Sequence, residues 1–328
     1  MITVRYSVIV PVYNRPQEMQ ELLESLTQQT VKEFEVIIVE DGSTVRCDRV
    51  VDAYRDRLTL QYFFKPNSGP GPSRNFGFGN ARGQYMVVFD SDCVIPPGYF
   101  EAVDRGLLEH RYDAWGGPDR AHNDFTLLQR AMGYTMSSVL TTGGIRGGKK
   151  RIGWFQPRSF NMGISRKVFE TTGGFKFDRF AEDIEFSMRM KKEGFKVGLI
   201  PEAFVFHKRR LNFKQFYRQV FNFGRGRVLV GRVHAGAVKL THWFPSVFTL
   251  ATLALLLLPL IDMVLFKVAA SAFFLYLAAI FIHSWLENNS LIIAFLSIPS
   301  ALLQLWGYGL GFLQERFKTH SQSNAYKA

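Results

Sequence analysis

The chain has 328 residues, enough for one large domain and something more, and 47% of them are hydrophobic. Its two cysteines, Cys47 and Cys93, exclude a disulfide framework and zinc-ligand spacing and fit a reducing compartment. The net charge is +12, and much of the excess lies between Pro201 and His242, just before a strongly apolar block at 243–313; that order points to anionic lipid at a cytoplasmic membrane face rather than to nucleic acid.

In chain order, Ser7-Val8-Ile9-Val10-Pro11-Val12-Tyr13 predicts a first buried strand. It is too short for a signal peptide, so the first domain is expected in the cytosol. Asn14-Arg15-Pro16 predicts a turn and a helix start, and Met19, Leu22, Leu23 and Leu26 then recur with helical spacing. Phe34 to Val39 predicts a second strand ending in Glu40-Asp41-Gly42-Ser43, and Leu58 to Phe64 a third. Pro70 to Asn75 opens a helix, and Tyr85 to Phe89 is a fourth strand. Strands alternating with helices, each strand ending in polar residues, predict a mostly parallel α/β sheet.

The fourth strand runs into Asp90-Ser91-Asp92. Residues two apart in a strand share a face, so these carboxylates are expected to face one pocket at the strand's carboxyl end. Paired carboxylates invite Mg²⁺ or Mn²⁺, although a solvated turn explains the same pattern. Cys93 beside them reads as a small buried filler. A helix is expected from Pro96 to about Glu109, and strands at 113–117 and 160–164. Gly143 to Arg158 reads as a mobile loop with a positive tip or as a solvated linker. Arg166 to Thr171 predicts a short helix. A further helix opens on Glu182-Asp183-Ile184-Glu185, where acidic residues also suit the helix dipole.

Lys208, Arg209, Arg210, Lys214, Arg218, Arg225, Arg227, Arg232 and Lys239 face the single acid Glu202. Phe213, Phe216, Tyr217, Val220 and Phe221 have helical spacing, which predicts an amphipathic helix at the membrane interface or one packed in a core. Trp243–Ile261, Val264–Ile282 and Leu291–Leu313 each reach the ~20 residues a membrane span requires. Three spans are expected, with two spans and a re-entrant or interfacial segment as the alternative. The boundaries implied are a catalytic domain at 1–207, a basic amphipathic segment at 208–242, a transmembrane region at 243–313 and a polar tail at 314–328.

Val8 to Asn14, Val39-Glu40-Asp41-Gly42-Ser43, Asn67 through Gly77, Asp90-Ser91-Asp92, Asn161-Met162-Gly163 and Glu182-Asp183-Ile184-Glu185 occur in one order. Together they resemble the family 2 glycosyltransferases of the GT-A fold over about residues 5–207. The resemblance implies a nucleotide-sugar-binding α/β domain followed here by an interfacial helix and transmembrane helices. It implies an inverting transfer from a UDP- or GDP-sugar, with a divalent cation, Mn²⁺ or Mg²⁺, on the diphosphate. Pro11 and Tyr13 would line the base pocket with Asn14, Glu40 and Asn67 nearby, and Asp41 would accept the base N–H. Arg74 would approach the diphosphate or ribose, although an exposed surface arginine is the alternative. Asp90 would lie on the ribose and sugar side, and Asp92 would hold the metal. Asn161, Gly163 and Glu182 would line the sugar or acceptor, and Asp183 would be the general base. His207 reads as an added metal or phosphate ligand, or as a structural histidine.

Processive members of the family carry Gln-x-x-Arg-Trp near the membrane. Here membrane-proximal Gln215 and Arg218 are followed by Gln219, which argues against processive synthesis. The expected acceptor is a membrane-associated, lipid-linked glycan of an envelope or surface polysaccharide pathway, with the catalytic domain on the cytosolic face of the inner membrane. Transfer to polyprenyl phosphate and a non-catalytic nucleotide-sugar-binding scaffold are the rival readings. Membrane lipids are expected partners, and nucleic acid is not.

Overall fold

The computed structural model describes residues 4–120, 126–142, 154–207 and 212–318. The chain forms two compact units, one comprising residues 1–122 and 154–208 and the other 123–153 and 209–323. The stretch 123–153 groups with the C-terminal unit, although it is flanked in sequence by the sheet domain. The expected positive-tipped loop falls at 143–153, outside the described residues, apart from its last few.

The first unit contains β1 (Tyr6–Val12), α1 (Pro16–Thr27), β2 (Phe34–Asp41), α2 (Asp48–Asp52), β3 (Leu60–Lys65), α3 (Pro70–Asn80), β4 (Tyr85–Phe89), β5 (Cys93–Val94), α4 (Tyr99–His110), β6 (Ala114–Gly116) and β7 (Asp119–Arg120). In the second unit lie α5 (Leu127–Ser137) and α6 (Val139–Thr142). The first unit resumes with β8 (Asn161–Ser165), α7 (Arg166–Thr172), α8 (Glu182–Lys192), β9 (Val197–Leu199) and β10 (Val205–His207).

Its main sheet has the order β3-β2-β1-β4-β8-β6-β9. β3, β2, β1 and β4 are parallel, and β8 runs antiparallel to both β4 and β6. Every residue of β1 and β2 is buried, as expected where helices cover both faces of a parallel sheet. Burial forces the polar members of these strands to pair. Glu35 accepts from Ser7 Oγ at 2.7 Å, Gln61 Nε2 at 2.9 Å and the Arg82 backbone N–H at 2.8 Å. On α1, Pro16 suits the helix start, and Met19, Leu22, Leu23 and Leu26 are fully buried on one stripe.

A second sheet of order β5-β10-β7 sits beyond β4. Its antiparallel register pairs Phe206 with Val94 and His207 with Cys93. That register brings His207 back beside the turn that follows β4.

The second unit is helical. Beside α5 and α6 it contains α9 (Phe213–Val233), α10 (Phe244–Leu255), α11 (Met263–Asn288) and α12 (Leu291–Phe317). α9 packs along α12 so closely that a Cβ on Gly224 would lie 2.1 Å from Tyr308 O, and one on Gly311 2.0 Å from Phe221 O. Phe216 and Val220 are buried in this packing while Lys214, Gln215 and Arg218 are exposed. The core-packed alternative for this helix thus describes its apolar face. Glu315, 2% exposed, accepts from Arg225 and Arg232 at 3.0 Å each.

Among the described residues, two helices, α11 and α12, are long and apolar enough to cross a membrane, with mean hydropathies of 2.2 and 1.6. The block Trp243–Ile261, expected as a span, is not one continuous helix. Its helical core is the 12-residue α10, bracketed by 3-10 turns at Leu240–Trp243 and Leu258–Leu260. At 1.5 Å per residue it covers ~18 Å against ~30 Å of hydrocarbon. Pro259 cannot continue the helical ladder, and Asp262 restarts the chain by capping Val264 and Leu265 at 2.8 and 3.0 Å.

Candidate active site

The carboxyl ends of β1, β2 and β4 and the start of α8 carry most of the residues singled out by sequence. Asp41 ends β2. Its carboxylate pairs with Lys65 and accepts the Ser68 and Gly69 N–H groups at 2.9 and 2.8 Å. Burial alone would raise its pKa, but Lys65 and the two N–H donors outweigh it and hold the group below its usual range. Asn67 donates to Asp41 O at 2.7 Å and so fixes the same loop. Glu40, on the other face of the strand, is fully buried. It accepts from Tyr62 and from Cys47 N at 3.1 Å, so it is not brought to the Asp41 cluster.

Pro11 is buried in β1, and Tyr13 just past its end is 51% exposed. Asn14 sits at φ +54° and caps the loop opposite, accepting from Thr44 N at 2.8 Å and Val45 N at 2.9 Å. These bonds join the ends of β1 and β2.

Arg74 is 3% exposed, so the exposed-arginine alternative is excluded. Its Nη2 donates to Asp90 at 2.9 Å and its Nη1 to Glu182 at 2.8 Å. One guanidinium thus ties the β4 turn to the start of α8. Burial first, and the charge of Asp183 next to it, push the Glu182 carboxyl up to about 7 against the pull of Arg74. Asp183 keeps more solvent access. Its Oδ2 lies 3.4 Å from Arg158 Nη1 and its Oδ1 accepts Ile184 N at 2.8 Å. Glu185 is 2% exposed and its carboxylate is closed by Arg189 at 2.7 and 2.9 Å.

Asp90 and Asp92 are brought together, but not by strand alternation. β4 stops at Phe89, and a turn closed by Cys93 N donating to Asp90 O at 3.1 Å presents both. Asp92 is 6% exposed; Oδ1 faces His207 Nε2 at 3.1 Å and Oδ2 pairs with Arg15. Burial would raise the Asp92 pKa, but His207 and Arg15 hold it well below the usual carboxylate range. Burial would lower the His207 pKa, and the hydrogen bond and charge of Asp92 raise it instead. Its ring stacks on Phe160 with centroids 4.9 Å apart.

Donor atoms of Asp92, Cys93 and His207 lie within 4.8 Å of one another. A carboxylate oxygen and an imidazole nitrogen form a donor pair suited to Mn²⁺, so these two residues fit a divalent cation. Burial pushes the Cys93 thiol well up, which leaves it protonated and a poor ligand.

Asn161 and Gly163 are both closely packed. Asn161 accepts from Tyr99 at 2.6 Å and donates to Ala203 O at 2.8 Å. A Cβ on Gly163 would fall 2.0 Å from the Trp115 ring. Gln215 and Arg218 lie on α9, in the other unit. The sequence reading missed Arg15, Lys65 and Arg158, each the cationic partner of a singled-out carboxylate. Arg15 and Lys65 had a signal: a basic residue just past one predicted strand and near the end of another.

The sequence pattern of glycosyl transferase family 2 matches residues 7–221. The chain belongs to that family. Among curated relatives of this family 2 member, an uncharacterized glycosyltransferase of Rickettsia felis is 42% identical over 88 residues, 27% of this chain and 15% of the relative. The poly(ribitol-phosphate) β-N-acetylglucosaminyltransferase TarS of Staphylococcus aureus is 37% identical over 113 residues, 33% of this chain and 20% of TarS. The chain therefore spans a small part of either relative's length. The mannosyltransferase PcManGT of Pyrobaculum calidifontis, solved with GDP-Man and Mn²⁺, is similar in fold, with a TM-score of 0.60 at 17% identity over 95% of this chain and 87% of that one. TarS residues 1–349, solved with UDP-GlcNAc, align with a TM-score of 0.50 at 18% identity over 94% and 92% of the two chains. These likenesses agree with the GT-A-type α/β fold expected from the motifs.

Proposed function

We propose that this family 2 chain is a divalent-metal-dependent, inverting glycosyltransferase. It moves one sugar from a UDP- or GDP-sugar to a membrane-associated acceptor, a lipid-linked glycan of envelope or surface polysaccharide synthesis. The observation that carries the reading is Arg74, which joins Asp90 to Glu182 at the carboxyl edge of the sheet. A buried cation between the β4 turn and the helix bearing Asp183 suits a diphosphate on one side and an acceptor on the other. The nucleotide-sugars solved with TarS and PcManGT support that class of donor.

In this reading Asp183 takes the proton from the acceptor hydroxyl, whose oxygen forms the new bond to the anomeric carbon as the bond to the nucleoside diphosphate breaks. Asp183 is favoured over its neighbours because Glu182 is held by Arg74 and Glu185 by Arg189. It also sits in the first turn of α8 and keeps more solvent access than Glu182 or Glu185, so an acceptor hydroxyl can reach it. Arg74 holds Asp90 and Glu182 in place beside the departing diphosphate. Asp92 and His207 would hold Mn²⁺ or Mg²⁺, which when bound neutralises the same leaving group. The two long apolar helices support membrane attachment, and the basic segment before them supports a cytosolic catalytic unit at the inner membrane.

The test is a nucleotide-sugar screen of the detergent-purified protein with Mn²⁺ and with chelator, followed by mass spectrometry of the lipid product. Metal-dependent extension of a lipid-linked glycan is expected. A sugar–phosphate monoester would move the acceptor to polyprenyl phosphate. Donor binding without transfer or hydrolysis would make the chain a scaffold.

A further inference from the structure

We infer that Arg15 is an internal counter-ion for Asp92, occupying the cation position until a nucleoside diphosphate gives it another partner, so that a divalent metal enters with the nucleotide and not ahead of it. This rests on the proposed metal role of Asp92 and His207.

The two oxygens of Asp92 are divided between partners of different mobility. Oδ1 faces His207, which is fixed in β10 by its pairing with Cys93 and stacked on Phe160. Oδ2 takes the Arg15 guanidinium. Arg15 lies between the end of β1 and Pro16 at the start of α1, and its side chain is 33% exposed against 7% for Asp92. Asp92 cannot leave, because it sits in the closed turn after β4. Arg15 can, because it reaches inward from a helix start on a long flexible stem.

Electrostatics then sets the order of arrival. A buried carboxylate already paired with one cation offers little to a dication, and the guanidinium beside it repels the incoming charge. Asp90 adds to the negative charge felt by Arg15. A diphosphate changes the balance by presenting acceptor oxygens that suit a guanidinium in bidentate geometry. Arg15 can then turn to the phosphate and leave Oδ2 to the metal. The shared ligand chemistry is a diphosphate, whether from an intact nucleotide-sugar or from the product nucleotide.

The experiment measures free Mn²⁺ by electron paramagnetic resonance during titration of the full chain in detergent. It is done without nucleotide, with UDP, with GDP and with inorganic pyrophosphate. Wild type should bind Mn²⁺ weakly alone. Arg15→Gln should bind it about tenfold more tightly without nucleotide, the lower end of the ~1–3 pKa units by which an adjacent arginine lowers a carboxylate's affinity for a proton. Arg15→Lys keeps the charge and should stay close to wild type. Asp92→Asn should remove the tight site in either background. If Arg15→Gln binds Mn²⁺ alone no better than wild type while Asp92→Asn abolishes binding, the counter-ion role is wrong and the metal reading stands. If no variant shows Asp92-dependent Mn²⁺ binding with any of these ligands, both are wrong. Preferential support from UDP or GDP over pyrophosphate would assign the release of Arg15 to the bound nucleotide; equal support would assign it to the diphosphate alone.

Discussion

Arg74→Met keeps the apolar stem and removes the charge that joins Asp90 to Glu182. Breaking a buried ion pair from one side typically costs about 3–5 kcal/mol, because the other charge is left unpaired. Glu182 can escape part of that cost by staying protonated. Burial and Asp183 already raise its carboxyl to about 7, with Arg74 opposing them. Without Arg74 the proton should be held to still higher pH. A carboxyl whose folded pKa lies above its unfolded value gives its full stability below the unfolded value. That stability is lost as pH rises toward the folded pKa. In the wild type the loss ends near pH 7; in Arg74→Met it continues. Each further pH unit then costs the variant ~1.4 kcal/mol relative to the wild type, so the gap should widen by about 2 kcal/mol between pH 7 and 8.5. For a unit of this size that is an extra ~4–8 °C in thermal midpoint. Thermal unfolding of the detergent-purified proteins at pH 6, 7 and 8.5 measures it. Arg74→Met/Glu182→Gln should lose the pH-dependent part. A midpoint difference equal at all three pH values, or one that persists in the double variant, would refute the reasoning.

Asp183→Asn is expected to lower transfer by about 10²–10⁴-fold while leaving donor binding nearly unchanged, whereas Glu185→Gln should act through stability instead; steady-state transfer beside equilibrium donor titration separates the two. Gly163→Ala forces a methyl group against the Trp115 ring at 2.0 Å and should cost about 1–3 kcal/mol or more. Differential scanning fluorimetry measures that loss, and Trp115→Leu in the same chain should return part of it.

The parallel half of the sheet was legible because its strands are buried on both faces, so β1, β2 and β4 read as largely apolar runs. α1 was legible because its stripe is complete. The reversal at β8 was not, since an apolar run carries no sign of direction. Nor was the destination of α5, whose tertiary partners lie far along the chain: Gln304 donates to Thr135 O at 3.0 Å across 169 residues. α10 looked like a span because hydropathy does not register a 3-10 break. In the site, Asp90 and Asp92 were found through a strand argument, yet a turn positions them. Whether Arg74 is enclosed or an exposed surface arginine stayed open in the sequence, because its burial depends on Asp90 and Glu182, 16 and 108 residues away.

The partners that the sequence did not reveal explain how so acidic an edge can suit a diphosphate. Asp41 carries Lys65, Asp92 carries Arg15, Asp183 faces Arg158, and Asp90 and Glu182 share Arg74. A cluster of bare carboxylates would repel the leaving group that the proposed reaction must stabilise. Fixed cations on every carboxylate would neutralise the edge but would bind phosphate poorly, since each would already be satisfied. The difference among these cations lies in how they are held. Arg74 is enclosed and bridges two elements, so it can preserve geometry while charge moves past it. Arg15 is attached at one end only and is partly open to solvent, so it can change partners. On the proposed reading, donor capture is an exchange of ion pairs rather than attraction to a net positive surface. The enclosed cation maintains the site, and the open one allows the exchange.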